Sequence, residues 1–456
     1  MRICLYSFRC TKVVFVISLM SAFFCVATPA PDYWDRSFGG TGIADRDGQV
    51  RAAVTWRDRL IIGGYFSQVG GVNATNIAIW DGNRWSSLGN GLGVFDANRS
   101  VASAINSVRV IDDEIYAAGI FTNSGAASIS NIAKWNGAQW VPLGLGLSDP
   151  LAVIAVYDIA GRRANDLYAG GTFTTADGVP TSRIAHWNGQ KWSPLGAGVS
   201  QSNGYAFVHT ITINRDDVYL GGSFTSAGGV AATNIAKWTG SKWESIGNGL
   251  PGQAVYALAI VRGSLFAGGR FGDFAGGVLQ GIAPWDGAAW ISVGGPANGF
   301  SGYPGSVLSI ASVQDRLFVG GEFSSIAGVA ATNIAHWTGR EWLPLGGGLR
   351  YPSIVYALAS NGSEIFAGGS FDFAGDTSSR KIARWHIPRT LKVQSSQNQI
   401  HVSWPAPDTN FVLESTSSLN SNWQPVSQPP LVQDNRWTIT NTISGTKQFF
   451  RLKANN

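Results

Sequence analysis

One set of side chains in this sequence has the composition of a binding site. Short units repeat along the chain, and one position near the start of each unit's first strand holds mostly aromatic or polar residues. In the six units that align without gaps, this position holds Arg51, Asn106, His209, Tyr256, Leu308 and Tyr356. Aromatic rings beside a few polar groups suit stacking on sugar rings or gripping a peptide. Tyr205, Tyr303 and Tyr351 on nearby loops extend the candidate set. The alternative is that these side chains only fill a channel together with ordered water.

The sequence lacks the motifs that would assign a reaction. It has no His-Glu-x-x-His, Gly-x-Ser-x-Gly, Walker or dinucleotide-binding glycine motif. His186 and His336 occupy one variable position of the repeat, and equivalent positions in a ring lie far apart, so they predict no metal pair. We therefore predict no catalytic residue, metal or cofactor. The alternative is an extracellular polysaccharide-active hydrolase or lyase, for which a pocket with two carboxylates about 5–10 Å apart would be needed. Acidic residues are sparse in the long loops: Asp96, Asp149, Asp177 and Asp273.

The repeat itself predicts the elements that hold the candidate site. Its clearest copy is Val218–Leu250, and the spacings between the first Trp residues of successive copies run from 47 to 55 residues, in the range of propeller blades. These Trp residues are Trp80, Trp135, Trp187, Trp238, Trp285, Trp337 and Trp385. Each copy predicts four short strands: an apolar strand, Leu-[Phe/Tyr]-x-Gly-Gly-x-Phe, Asn-Ile-Ala-x-Trp and Trp-x-x-Leu-Gly. Asp-Gly or Asn-Gly between the last two favours a tight hairpin.

A four-stranded unit of this size must stack on a neighbour to bury both faces, which favours a closed ring. The seventh copy ends after Trp385 without a second Trp, and the segment that begins at Trp34 matches the missing fourth strand. We therefore predict an all-β fold, with a seven-bladed β-propeller at 32–388 that is closed by an N-terminal strand. Small residues at the Gly-Gly pairs and aromatics at the Phe and Trp positions are expected to form the packing between blades.

The direction of the strands predicts which face of the propeller would bind a ligand. Strands alternate in direction, so loops between strands two and three and between strands four and one emerge together. We call this side the long-loop face; its loops include 91–104, 200–206, 296–305 and 350–353, which are long and irregular. Binding residues lie preferentially on long loops that a rigid scaffold holds. The first strands begin on this face and line the channel.

The two ends of the chain differ from the repeat. Residues 1–27 carry Arg2, Arg9 and Lys12, then an apolar run and a small-residue end, as in a secretory signal peptide. Its removal takes away all three Cys and leaves 30 basic against 28 acidic residues. The sequence has no basic patch, so we predict no nucleic-acid partner. We also expect no transmembrane segment in the mature chain. Residues 389–456 show alternating runs such as Phe411–Ser415 and predict a small β-sandwich.

Two resemblances accompany these patterns. The tail, with Phe-Val-Leu-Glu-Ser and a Phe-Phe-Arg-Leu ending, resembles fibronectin-like C-terminal modules of secreted bacterial proteins. The blade, with its Gly-Gly and Trp-x4-Trp, resembles the kelch repeat, and its wording is closer to the repeats of fungal cortical marker proteins of bud-site selection and of secreted bacterial propellers. These resemblances imply a fold and an extracellular interaction role. Kelch propellers of the galactose-oxidase type use a Cys-linked Tyr at copper, which a mature chain without Cys lacks.

Together these patterns predict a binding or structural module that lies outside the cell or in the cell envelope, in the periplasm or at the cell surface. Its ligand would be a glycan or a protein, and the chain would act as a monomer. The candidate binding residues are Arg51, Asn106, His209, Tyr256, Tyr303, Tyr351 and Tyr356.

Overall fold

A computed structural model describes residues 15–17, 33–96, 103–148, 155–202, 204–271, 280–293, 295–300, 304–313, 316–350, 353–387, 392–396, 399–405, 411–416, 422–433, 436–442 and 448–454. The regular elements of these residues are strands joined in antiparallel sheets. The all-β prediction with a repeated four-stranded sheet is confirmed.

Each repeat of the sequence forms one sheet with its strands in chain order. The first strands are Gln49–Trp56, Ala104–Ile111, Val156–Arg163, Phe207–Asn214, Gly252–Val261, Ser306–Val313 and Val355–Ser360. The second strands are Arg59–Tyr65, Glu114–Ile120, Asp166–Gly171, Asp217–Ser223, Ser264–Phe271, Arg316–Glu322 and Glu364–Gly369. The third strands are Ile77–Trp80, Ile132–Trp135, Ile184–Trp187, Ile235–Trp238, Gln280–Pro284, Ile334–Trp337 and Ile382–His386. We number the sheets 1 to 7 in this order.

The fourth strands are short and begin at the second Trp of each repeat. They are Trp85–Ser87, Trp140–Pro142, Trp192–Pro194, Trp243–Ser245 and Trp342–Pro344, and in sheet 5 a single bridge joins Trp285 to Trp290. In sheet 7 this place is taken by Tyr33–Trp34 from the N-terminal side of the chain, which lies next to Ile382–His386.

The sheets are arranged as in a β-propeller. The first strands of successive sheets contact one another, and that of sheet 7 contacts that of sheet 1. In five sheets the indole of the outer Trp donates to a backbone oxygen of the preceding sheet or its loop, as Trp140 does to Leu88 at 3.0 Å. Trp34 makes this same bond to Leu345 O at 3.3 Å. The N-terminal strand therefore reproduces the contact that joins other neighbouring sheets.

Aromatic side chains fill the space between sheets. The Phe two residues after each glycine pair is fully buried, with exposures of 0 to 1%: Phe66, Phe121, Phe173, Phe224, Phe271, Phe323 and Phe371. The outer Trp residues are buried too, and each contacts the inner Trp of its own sheet at about 5 Å between ring centroids. Each large aromatic removes roughly 150–250 Å² from water, so this packing is the main apolar contribution to ring stability.

The two glycines of each pair have different neighbours. A Cβ added to the first one in sheet 4, Gly221, would lie 2.6 Å from Cγ1 of Val255 in the next sheet. A Cβ on the second, Gly222, would lie 2.0 Å from the backbone oxygen of Phe207 in the same sheet. The first glycine therefore permits close packing between sheets, and the second permits close approach of the first strand. In sheet 2 the first position holds Ala118.

The loops between strands two and three are not irregular as expected. Six of them form tiny hairpins: Gln68–Val69 with Val72–Asn73, Asn123–Ser124 with Ala127–Ser128, Thr175–Ala176 with Val179–Pro180, Ser226–Ala227 with Val230–Ala231, Ser325–Ile326 with Val329–Ala330, and Phe373–Ala374 with Thr377–Ser378. Three are joined by short strands from the preceding four-to-one loop: Leu147–Ser148, Val199–Ser200 and Ala297–Asn298.

In four sheets a buried asparagine joins the loop between strands two and three to the loop between strands four and one through hydrogen bonds. Asn234 has a φ of 62°, its Oδ1 accepts from the backbone N–H of Phe224, and its Nδ2 donates to Leu250 O at 2.8 Å. Asn76, Asn131 and Asn333 repeat this pattern. Asn tolerates the left-handed region better than most residues. Its side-chain hydrogen bonds hold the backbone of the loops on the long-loop face in place.

The chain divides into two compact units, Trp34–Trp385 and Met1–Tyr33 with His386–Asn456. The second unit contains two antiparallel sheets. One consists of Lys392–Ser396, Gln399–Pro405, Leu431–Gln433 and Arg436–Thr442, and the other of Phe15–Ile17, Phe411–Thr416, Gln424–Pro425 and Gln448–Ala454. Val402, Trp404, Ile439 and Phe450 are buried in this unit. The boundaries 32–388 and 389–456, and the signal peptide 1–27, stay predictions.

Candidate functional site

A β-bulge occurs at the same place in the first strand of each of the seven sheets described. In sheet 1, Val50 pairs with Gly64 and Ala52 pairs with Gly63, so Arg51 is the extra residue of the bulge. A bulge of this kind redirects side chains and is common beside functional sites. The bulged residues are Arg51, Asn106, Tyr157, His209, Tyr256, Leu308 and Tyr356. We call them the bulge ring.

The bulge ring lines a cavity of about 150 Å³ at the centre of the propeller. All seven side chains are partly exposed, whereas the residue that follows each of them is buried. A cavity of this volume has room for several waters or for one group of about the size of a benzene ring. The bulges lie near the start of the first strands, next to the four-to-one loops.

The structure brings five predicted binding residues together and adds one that the sequence reasoning missed. Arg51, Asn106, His209, Tyr256 and Tyr356 line the cavity with Leu308. Tyr157 completes the ring in sheet 3, where extra residues before the second strand disturb the alignment of the repeat. The signal for it was the Val-Tyr-Asp at 156–158, which matches Val-Tyr-Ala in sheets 5 and 7. Tyr303 and Tyr351 lie outside the described residues, and Tyr205 is 72% exposed.

One arc of the ring is aromatic. The His209 ring lies 5.1 Å from Tyr157 and 5.0 Å from Tyr256 between centroids, and Phe207 stacks on it at 5.8 Å. Burial lowers the pKa of His209 to about 4, so the imidazole is neutral near pH 7. Burial raises the pKa of Tyr157 and Tyr256. This arc therefore offers uncharged rings with polar edges.

The opposite arc is polar. Arg51 donates to the amide oxygens of Gln49 at 3.0 Å and Asn106 at 3.3 Å, and Asn106 in turn donates to Val156 O at 3.1 Å. Arg109 pairs with the buried Asp158, with Nη2 2.8 Å from Oδ1. The cavity thus combines a hydrogen-bonding side with an aromatic side, which is the usual composition of sites for small polar ligands.

Asp158 is the one carboxylate among the described residues that line the cavity. Its Oδ1 accepts from Ser107 Oγ at 2.8 Å, from Arg109 and from its neighbour's backbone N–H, and its Oδ2 accepts from Ile211 N at 3.0 Å. These hydrogen bonds satisfy both oxygens of the carboxylate and join sheets 2, 3 and 4. The described lining therefore lacks the carboxylate pair that a glycoside hydrolase needs.

The other carboxylates considered for an enzyme lie elsewhere or outside the described residues. Asp177 accepts from the backbone N–H groups of Leu145 at 2.7 Å and Trp192 at 2.6 Å, which is a structural role. The backbone oxygen of Asp96 accepts from the Tyr65 hydroxyl. Asp149 and Asp273 are not among the described residues.

The two histidines of the repeat lie outside the cavity lining. His186 Nε2 is 2.8 Å from Asp166, beside the ring of Tyr168. His336 is buried against Phe318, and its Nδ1 has no hydrogen-bond partner among the described residues. Burial, with a smaller effect of Arg316, lowers the pKa of His336 to about 4. Within the described part of the chain, no three His, Cys, Asp or Glu residues come together as a metal site would require. Nor does that part contain a helix of the length and apolar character needed to cross a membrane.

Comparison with known proteins gives likenesses in structure alone. No protein-family model and no curated protein matches the chain. The computationally designed protein Ika8 is 13% identical, with 80% of this chain and 96% of its own chain covered and a TM-score of 0.41. YCF48 bound to D1 peptide is 12% identical, covers 81% and 99%, and has a TM-score of 0.45. YCF48 from Cyanidioschyzon merolae is 10% identical, covers 77% and 98%, and scores 0.44. Likenesses at this level say nothing about what this chain binds.

Proposed function

We propose that the chain is a secreted, non-catalytic, seven-bladed and kelch-like propeller that recognises a glycan through the cavity on its long-loop face. The observation that carries this proposal is the bulge ring, with aromatic side chains on one arc and hydrogen-bonding groups on the other. A sugar ring has an apolar C–H face and a hydroxyl edge, and these match the two arcs. A protein ligand remains the alternative partner.

The scaffold favours binding over catalysis. The bulges are set by the register of strands, not by loop conformation, so the ring is preorganised before a ligand arrives. Preorganisation lowers the entropy that association costs. In the described lining, the carboxylate of Asp158 is already satisfied by hydrogen bonds between sheets. These features suit a rigid site that holds a ligand without transforming it.

A glycan-array screen of the secreted full-length protein, with each hit incubated and followed by mass spectrometry, tests this proposal. Binding without a new product supports a lectin-like module. A cleaved product contradicts it and favours the polysaccharide-active enzyme. Absence of both contradicts glycan recognition and directs the search to a protein partner. Mass spectrometry of the secreted chain also tests cleavage after residue 27.

The variant Tyr256→Ala with Tyr356→Ala tests the site itself. Two stacking contacts of about 1 kcal/mol or more each predict that affinity falls at least ~30-fold, while the melting temperature stays nearly unchanged. Isothermal titration calorimetry and thermal denaturation measure the two effects. Tyr33→Ala is the control, since Tyr33 is 53% exposed and does not line the cavity. A large loss of stability with binding retained would mean that the tyrosines only fill the channel.

A further inference from the structure

The first strands turn backbone groups towards the cavity. Each lies at one end of the strand order of its sheet, so it has a hydrogen-bonded neighbour strand on one side only. In an antiparallel ladder every second residue turns its N–H and C=O away from that neighbour. Ile211, two residues after the bulged residue of sheet 4, does so, because its N–H donates to Asp158 in the preceding sheet. The register is the same in sheets 5 and 6, so Leu258 and Ile310 direct their N–H and C=O to the cavity as well.

Sheets 3 and 4 show what such an N–H binds. Asp158 Oδ2 accepts from two donors of sheet 4, Ile211 N at 3.0 Å and Thr210 Oγ1 at 3.4 Å. Arg109 of sheet 2 balances the charge of this carboxylate at 2.8 Å. An acceptor oxygen on one sheet thus faces a donor pair on the next, formed by a hydroxyl and the backbone N–H that follows it.

Sheet 6 has the same donor pair without this acceptor. Ser309 and Ile310 are the first and second residues after its bulged residue. At the place of Asp158, sheet 5 has Ala257, whose side chain has no oxygen. The Ser309 side chain is 8% exposed and lines the cavity, and its Oγ has no hydrogen-bond partner among the described residues. A buried hydroxyl without a partner is costly, so an acceptor supplied by a ligand would be favourable here.

The Ser309 hydroxyl reaches this acceptor place by a change of rotamer. A Cβ added to Gly320 would lie 2.8 Å from its Oγ. In sheet 4 a Cβ added to Gly221 would lie 2.8 Å from Cγ2 of Thr210. The Ser309 hydroxyl thus lies where a threonine has its methyl group. Rotation about its Cα–Cβ bond by one staggered step brings it to the place that Thr210 Oγ1 has in sheet 4.

The acceptor place beside Ala257 suits a neutral carbonyl oxygen. The residue of sheet 4 that corresponds to Arg109 is Thr212, so a carboxylate here would lack the arginine that Asp158 has. Leu258 turns a backbone C=O to the same cavity, and an amide N–H can donate to it. Ala257 and Leu258 also offer apolar surface to a methyl group, in a cavity of about 150 Å³ that has room for one group the size of a benzene ring. An acetamido group meets all of these conditions.

We propose that the glycan ends in an N-acetylhexosamine, whose acetamido oxygen accepts from the Ser309 hydroxyl and from the N–H of Ile310 beside Ala257. The sugar ring then packs on Tyr256, which directly precedes Ala257 and belongs to the aromatic arc. This inference rests on glycan recognition by the bulge ring and names the class of sugar. A hydroxyl at C2 of the sugar is too short to reach both donors, so specificity arises from the amide.

Isothermal titration calorimetry of the full-length protein with methyl glycosides tests this inference. The probes are the glycosides of N-acetylglucosamine, N-acetylgalactosamine and N-acetylmannosamine, each compared with the hexose that has a hydroxyl at C2. Two hydrogen bonds and a methyl contact predict that one N-acetyl sugar binds at least about tenfold more tightly than its hexose. The N-butanoyl form of that sugar should lose this gain, because its longer chain does not fit beside Ala257.

Two substitutions test the placement of the acetamido group. Ser309→Ala should lower the affinity for the N-acetyl sugar about three- to tenfold and leave the melting temperature nearly unchanged, because the hydroxyl has no partner in the described structure. Ala257→Asn supplies an amide oxygen at the acceptor place and should abolish the preference for the N-acetyl sugar. Ser312→Ala is the matched control, since Ser312 is exposed, in the same strand as Ser309 and outside the cavity lining.

The possible results separate this inference from the proposal on which it rests. Equal affinity for the N-acetyl sugar and the hexose in all three pairs overturns the inference and leaves glycan binding intact. A preference that a folded Ser309→Ala or Ala257→Asn variant keeps in full also overturns it. If no sugar binds at all, both are overturned. Circular dichroism of each variant checks that a loss of binding is not a loss of folding.

Discussion

At the scale of single residues, the position before the inner Trp carries a cross-strand partner. In four sheets a nitrogen of this side chain lies near a carboxylate at the start of the second strand: Lys134 with Glu114 at 2.6 Å, His186 with Asp166 at 2.8 Å, Lys237 with Asp217 at 3.6 Å, and Arg384 with Glu364 at 3.7 Å. In sheet 6 the corresponding residues are His336 and Arg316, which cannot form such a pair.

His336 should therefore weaken the fold in acid. Its pKa is about 4 in the folded protein and near the ordinary value of 6.5 in the unfolded chain. The unfolded chain binds the proton more readily, so stability falls as the pH drops from 6.5 to 4, by at most about 3 kcal/mol. Replacing the buried, unpartnered imidazole in His336→Phe should remove most of this loss.

Urea denaturation of the wild type and His336→Phe at pH 7, 5.5 and 4.5 measures this effect. The variant should approach or exceed the wild type in stability as the pH falls. Tyr33→Phe, at an exposed site, should keep the pH dependence of the wild type. Parallel curves for the wild type and His336→Phe would contradict the prediction.

At the scale of elements, the second glycine of each pair makes the bulge possible. The backbone oxygen of the residue two positions before the bulged residue approaches this glycine so closely that an added Cβ would lie 1.9 to 2.3 Å from that oxygen in all seven sheets. A side chain at this place would push the first strand away and displace the bulged residue. The second glycine of each pair therefore helps to set the position of the bulged residue, and with it the geometry of the candidate site.

We expect Gly222→Ala to lower the free energy of unfolding by about 2–4 kcal/mol, because the clash involves backbone on both sides. Denaturant titration measures this loss. Gly40→Ala is the control, since a Cβ there meets nothing within 4 Å. Similar stabilities of the two variants would show that the first strand can move without cost.

The positions of the strands could be predicted from the repeat, but the register between neighbouring strands could not. Alternation of apolar residues, the Gly-Gly pair and the Trp-x4-Trp turn are local signals, and they placed Val255, Leu220 and Trp238 in the strands where the structure has them. A bulge depends on which residues face each other across two strands, which is not a local property. For this reason the bulge at Arg51 and Tyr356 was missed, and so was Tyr157, although the sequence placed Arg51 and Tyr356 at one position of the repeat. The position of Asn234 could be seen in the sequence, since Asn precedes Ile-Ala in four repeats. Its hydrogen bonds could not be predicted, because they depend on the position of a loop that is distant in sequence.

At the scale of the whole molecule, the ring depends on a contact between distant parts of the chain. Trp34 packs on Trp385 at 4.9 Å between ring centroids, and Asp35 pairs with Arg384 at 2.9 Å. Both members of the ion pair are 16% exposed, so they are largely shielded from salt. Val50 of sheet 1 also packs against Gly368 of sheet 7. The closing contact is therefore largely shielded from solvent.

Trp34→Ala should destabilise the propeller by about 3–5 kcal/mol, the range for removal of a large buried aromatic side chain. Chemical denaturation measures the loss, and limited proteolysis should reveal new cleavage near the two joined strands. Trp56→Ala provides the comparison, because Trp56 is partly exposed and donates to the exposed Asp113. Equal effects of the two substitutions would contradict a special role for the closing strand.

The same closure sets an order on biosynthesis. Residues 33–34 leave the ribosome early, yet the strand that they join, Ile382–His386, is made almost 350 residues later. Until then sheet 7 does not exist, and sheet 1 has one apolar face without a neighbour. The nascent chain must carry that exposed face, and an unpaired N-terminal segment, through nearly the whole of translation. Chaperone dependence and sensitivity to truncation near 382–386 are therefore consequences of where the ring is sealed.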